Sequence, residues 1–149
     1  MPYFTRQVAP NGSLLLVAHV GPSQAKIHAL RAAGQPIPTS MQVQALVDTG
    51  ASCTCVDPSV LASLGLTPTG SATVNTPSTG LQPVSADQFD ISLTIITAPN
   101  MVPLVYSTIP VVQSELLVVQ GFHMLLGRDV LRSCLLTFDG QNGLFSLAY

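Results

Sequence analysis

One acid in this sequence stands where a chain would present a reactive group. Ala45-Leu46-Val47-Asp48-Thr49-Gly50-Ala51-Ser52 is an apolar run that ends abruptly in an acid, a hydroxyl and a glycine. Aspartate is rarely buried without partners, so Asp48 at the end of a core-type run needs neighbours that hold it. Thr49 can bond backbone through its hydroxyl, and Gly50 allows a close approach that a side chain would forbid. By itself Asp-Thr-Gly is also an ordinary way to end a strand in a turn. The chemistry it could support is proton transfer. Acid/base hydrolysis of an amide requires one group to take a proton from water while another gives one to the carbonyl oxygen. Two carboxylates a few ångströms apart can divide that work, because they do not both ionise easily and so share a proton.

A second stretch, Met124-Leu125-Leu126-Gly127-Arg128-Asp129-Val130-Leu131, again runs an apolar strand into glycine and then into a short helical pattern. Asp-Thr-Gly-Ala-Ser after an apolar strand, followed by Leu-Leu-Gly-Arg-Asp-x-Leu, resembles the retropepsin-like aspartic peptidases. The likeness covers roughly Met41 to Tyr149, and Ala51 directly after Asp-Thr-Gly is the retroviral-type form. The resemblance implies an aspartic endopeptidase with Asp48 as its catalytic acid. Thr49, Gly50, Ala51, Leu126, Gly127 and Arg128 would support it, and Leu125 would pack with Leu126 and Gly127 beneath the turn. It also implies a homodimer acting on polypeptide. The chain carries a single Asp-Thr-Gly, and none of Asp57, Asp87, Asp90, Asp129 or Asp139 lies in a second copy. Two Asp48 residues would then meet across a two-fold axis. Ser52 departs from the retroviral pattern, which has an acid there to pair with the arginine of the second motif. Asp129 or a backbone carbonyl is left as the partner of Arg128. His123 stands where many cellular relatives carry an acid. The alternative function is a retropepsin-like dimerisation or peptide-binding module with weak cleavage.

Composition bounds the remaining classes. A chain of 149 residues suits one domain with a real core. Only 8% of its residues are charged against 47% hydrophobic, which fits a protein that buries an interface. Lys26, Arg6, Arg31, Arg128 and Arg132 are its only cations, too few and too scattered for a nucleic-acid groove. Three cysteines do not pair completely, which points to reduced thiols. With no signal-like segment and no membrane-spanning apolar run, the expectation is a cytoplasmic protein with no membrane partner. Cys53-x-Cys55 lacks the second pair of a structural zinc site, so neither a metal nor a cofactor is expected.

The elements that must position the acid can be read in outline. Ser13–Val20 has strand length between two turn clusters, and Met41–Val47 alternates as the strand that delivers Asp48. Gln24–Thr39 is open between a strand, a helical turn and a loop. Cys53–Val56 continues as strand with both thiols on one face. Asp57-Pro58 through Gly65 carries an N-cap, a first-turn proline and a C-terminal stop, a helix that lays Leu61 and Leu64 on the core. Ser71–Val84 reads as a hairpin, by resemblance the flap that closes over substrate, with its tip at Thr76, Pro77, Ser78, Thr79 and Gly80. Phe89–Ile96 and Leu104–Val112 are strands, the latter with an edge or bend at Pro110. A short helix over Asp129–Cys134 precedes a terminal hairpin turning at 139–143. Together these predict an all-β, closed, mostly antiparallel acid-protease-like barrel with one or two short helices in a single-lobe protomer. A loose segment, 1–12, would precede the domain at 13–149.

Overall fold

The structure is a computed structural model that describes residues 1–75, 80, 82–97, 101–116 and 118–149. Ten strands form two sheets. The first three strands are β1 (Tyr3–Gln7), β2 (Leu15–Pro22) and β3 (Met41–Val47), followed by the two-residue β4 (Cys55–Val56). β5 (Gly70–Val74) and the long β6 (Val84–Ile95) make the hairpin, and β7 (Leu104–Gln113) returns along β6. β8 (Met124–Leu126), β9 (Leu135–Asp139) and β10 (Leu144–Ala148) complete the set.

Six of these strands close on themselves in the order β2-β3-β8-β4-β7-β6, because β6 also pairs with β2. Closure gives each member a partner on both sides over part of its length, although β4 and β8 are short and cover only the ends of β7 and β3. Within the ring only β3–β8 and β4–β7 run parallel. β5 extends the ring outward from β6, and β1-β10-β9 form a separate three-stranded sheet. Strand alternation supplies the core: Val43, Ala45 and Val47 of β3 point inward against Ala18 and Val20 of β2 and Ile91, Leu93 and Ile95 of β6. No helix among the described residues is long and apolar enough to cross a membrane.

Among the described residues three short α-helices decorate the barrel rather than one or two. α1 (Gln24–Ala32) occupies the stretch that sequence left open. Ser23 caps it by accepting from the Lys26 amide at 3.3 Å, and Gly34 follows at φ +64°. None of its residues is buried, so an apolar stripe was never there to announce it. α2 (Pro58–Ser63) has the expected ends, Asp57 as N-cap and Gly65 at φ +61°. Leu61 and Leu64 are each 1% exposed, and burial of such side chains contributes about 1.5–3 kcal/mol apiece. α3 (Arg128–Leu131) is a single turn.

Two other expectations are corrected. Tyr3–Gln7 is not loose but a strand paired antiparallel with β10, with Phe4 only 2% exposed. Cys53 sits in a bend, and strand geometry begins at Cys55. Pro110 lies within β7, between β4 and β6. The proline is accommodated because β4 reaches only Val112 and Gln113, and β6 is bulged nearby, Ile91 facing Ile109 but Leu93 facing Tyr106.

Asp57 does more than cap. Its Oδ1 accepts from the Ser59 amide at 2.9 Å and the Ser59 hydroxyl at 2.5 Å, and its Oδ2 accepts from the Leu116 amide at 3.1 Å. Burial raises its pKa, but the bonds from Ser59 and Leu116 and the nearby His123 outweigh it, so the carboxyl titrates below its usual range. A depressed folded-state pKa contributes stability above the unfolded value and loses it as pH falls through the folded one. Asp57→Ala should therefore cost about 1–2 kcal/mol at pH 7. The difference from the unmodified protein should shrink in urea titrations as pH falls through and below the ordinary carboxylate range.

Candidate active site

Asp48 leaves the barrel at the end of β3. Val47 pairs with Leu126 of the parallel strand β8, and the Asp48 amide donates to the Leu126 carbonyl at 3.0 Å. The chain then turns so that the Gly50 amide donates to Asp48 Oδ1 at 2.8 Å and the Ala51 amide to the same oxygen at 3.3 Å. A Cβ on Gly50 would stand 3.1 Å from that oxygen, so a side chain there would force the turn to give by a few tenths of an ångström. The carboxylate is held by backbone and remains half-buried.

Behind this turn the second glycine motif locks in. A Cβ on Gly127 would fall onto the Cys53 carbonyl and within 2.9 Å of the Thr54 nitrogen. No side chain fits between these backbones. The Gly127 amide donates to Thr54 Oγ1 at 3.2 Å, and the Arg128 amide to the Ala51 carbonyl at 3.0 Å. Thr54 is fully buried. It donates from its amide to Asp129 Oδ2 at 2.9 Å and from its hydroxyl to Asp129 Oδ1 at 2.7 Å. Asp129 Oδ1 also accepts from the Val130 amide at 2.9 Å, starting α3. The carboxylate of Asp129 is thus committed to Thr54 rather than to Arg128, whose side chain is exposed. Sequence reasoning did not find this Thr54–Asp129 clasp. Two residues 75 apart carry no local signal of a contact.

The turn opens on a cavity of about 610 Å³, a size typical of ligand-binding clefts. Asp48, Gly50 and Ala51 form part of its lining, with Ser52, Cys53 and Cys55 beside them. Val74, Asn75, Val84 and Ala86 of the β5–β6 hairpin form one wall, and Val112, Gln113 and Ser114 another. Asp48 is the only acidic residue among the described lining residues. Thr49 is exposed and outside the lining, whereas Leu126 is buried beneath the turn. Of the proposed hairpin tip, Thr76, Pro77, Ser78 and Thr79 lie outside the described residues. Gly80 is exposed at φ +60°.

The other titratable groups are differently employed. His123 is not in the cleft: its amide donates to the Gln44 carbonyl and its carbonyl accepts from the Asp57 amide, both at 2.9 Å. Burial, reinforced by Cys53, pushes the Cys55 thiol up to about 12, which removes the thiolate that nucleophilic catalysis would need. Among the described residues no group of three or more His, Cys, Asp or Glu side chains is placed to hold a metal ion.

Residues 33–130, which span both glycine motifs and the clasp, match the family model described as aspartyl protease. The chain belongs to the aspartyl protease family. Its fold is similar to that of a retropepsin-like aspartic protease from Rickettsia conorii, with a TM-score of 0.59 at 17% sequence identity over 99% of this chain and 90% of that one. No curated protein matches it. In this member of the aspartyl protease family the backbone-held Asp48 lines a largely apolar cleft walled by a β-hairpin.

Proposed function

We propose that this protein is a dimeric aspartic endopeptidase in which two Asp48 carboxylates, one from each protomer, activate a water against a peptide bond. The observation that carries this reading is the single acid among the described residues of the cleft. The other acids are spent or remote: Asp57 caps α2, Asp129 holds Thr54, and Asp139 accepts from Gln141 and Asn142 in the terminal turn. Asp87 and Asp90 lie on β6 outside the cavity lining, and Glu115, exposed just beyond Ser114, is outside it as well. One carboxylate does not serve as proton acceptor and donor in the same step, so the second comes from a second copy. Thr49 and Gly50 would then face the two-fold axis and the substrate, and the β5–β6 hairpin would act as the flap.

A surface suited to that second copy supports the reading. β9 is one edge of the three-stranded sheet, β1 being the other, and Leu135 on one of its faces is 62% and Phe138 on the opposite face 59% exposed. Uncovered apolar strand edges are association surfaces. Phe138→Lys should leave the protomer folded and weaken dimerisation by about 30-fold or more, as for the loss of an aromatic anchor. Light scattering and cleavage assays across a dilution series check this. Activity lost at low concentration should return at high concentration, whereas unchanged association would place the interface elsewhere.

The experiment that tests the function is cleavage of an unfolded polypeptide by the purified protein as a function of pH. The working dyad holds one proton, so activity should follow a bell with its maximum at about pH 4–6. A statine-type mimic should block it, because its hydroxyl takes the place of the attacking water. Activity rising steadily to about pH 9 with sensitivity to chelators or alkylation would overturn the reading. Folded, dimeric protein without cleavage would favour a binding module.

A further inference from the structure

The cleft holds a second chemical feature that proton transfer does not use. Cys53 and Cys55 both contribute to its lining, beside Asp48. They lie two residues apart on the same wall, and the Cys55 thiol donates to the Cys53 carbonyl at 3.7 Å. Both thiols are free, Cys53 half-buried and Cys55 buried. The third thiol, Cys134, instead donates to the Val130 carbonyl behind α3 and is not in the lining. We propose that Cys53 and Cys55 form a dithiol site that takes one trivalent arsenical within the cleft, and that its occupation excludes substrate.

The choice of ligand follows from charge and donor number. Two cysteines line one cavity, and among the described residues no group of three or more ligating side chains is placed to hold a metal, so a soft centre satisfied by two sulfur donors suits the site. The negative charges of Asp129 and Asp48 act on Cys55, and the cavity wall is largely apolar. An anionic bis-thiolate complex is disfavoured there. An organoarsenic dithiolate is neutral. With phenylarsine oxide, two S–H bonds and the arsenic–oxygen bond are replaced by two arsenic–sulfur bonds, and the oxygen leaves as water with both protons. Arsenic remains trivalent, so no oxidant or reductant is required. The phenyl group would lie in the cavity of about 610 Å³ that substrate side chains would otherwise enter.

The test is titration of the reduced full chain with phenylarsine oxide. Intact mass should show one adduct, and thiol titration of the denatured adduct should show that only Cys134 still reacts. A dithiol such as dithiothreitol should release the adduct at concentrations where a monothiol does not. Cys53→Ser should weaken binding by about 100-fold or more through loss of chelation, while Cys134→Ser should not change it. No adduct, equal release by monothiol, or full affinity in folded Cys53→Ser would overturn the dithiol site. These readouts need no proteolysis. The exclusion of substrate rests on the peptidase reading: cleavage should fall in step with adduct formation, and an adduct that leaves cleavage intact would overturn that half. Loss of cleavage in untreated protein would count against the peptidase reading while the adduct still tested the site.

Discussion

Replacing Asp48 with Asn is expected to cost cleavage about 10²–10⁴-fold, while the protein keeps its fold and its dimer. The substitution keeps one oxygen in place to accept from the Gly50 and Ala51 amides, which stand 2.8 and 3.3 Å from Asp48 Oδ1. It removes the ionisable oxygen that would share a proton across the dyad. Far-ultraviolet circular dichroism and light scattering should not change, and peptide cleavage should fall by that factor. Substantial activity in a folded Asp48→Asn protein would remove Asp48 from the mechanism.

Gly127→Ala should be the most damaging small change for the fold. Its Cβ would meet the backbone of Cys53 and Thr54 rather than the end of a flexible side chain, so relief requires moving β8, the bend at Cys53 or both. A cost of about 3 kcal/mol, the upper end for overpacking, is expected. The shift would loosen the bonds from the Gly127 amide to Thr54 and from the Arg128 amide to Ala51, so the Asp48 turn should lose its geometry too. Urea denaturation and kcat measure the two effects. Gly70→Ala is the control: its Cβ would meet only Gln88 Nε2 at 3.8 Å, and stability should change by no more than about 0.5 kcal/mol. Equal effects at the two positions would refute the close approach at Gly127.

What the sequence disclosed follows from how local each signal is. The helix after Asp57 was legible because its cap, first-turn proline and terminal glycine lie within nine residues of chain. The barrel strands were legible because alternation is written in each strand separately. β1 was not, since its five residues acquire meaning only by pairing with β10 at the other end of the chain. α1 was ambiguous because it buries nothing, and its ends at Ser23 and Gly34 speak louder than its middle. At the site, the sequence left Asp129 or a backbone carbonyl as the partner of Arg128. In three dimensions the Thr54 amide and hydroxyl take that carboxylate, a buried pair of donors that would otherwise be unsatisfied. Charge complementarity along the sequence left open what hydrogen-bond accounting in space decides.

The dyad shared between two chains is tested most directly by mixing. Unmodified protein and Asp48→Asn protein, combined in equal amounts and allowed to exchange subunits, should form both homodimers and the mixed dimer in statistical proportion. If each active site needs both Asp48 carboxylates, only the unmodified homodimer cleaves, and activity falls to about a quarter of that of the same total amount of unmodified protein. A fall to about half, the dilution expected of protomers that work alone, would contradict the shared dyad.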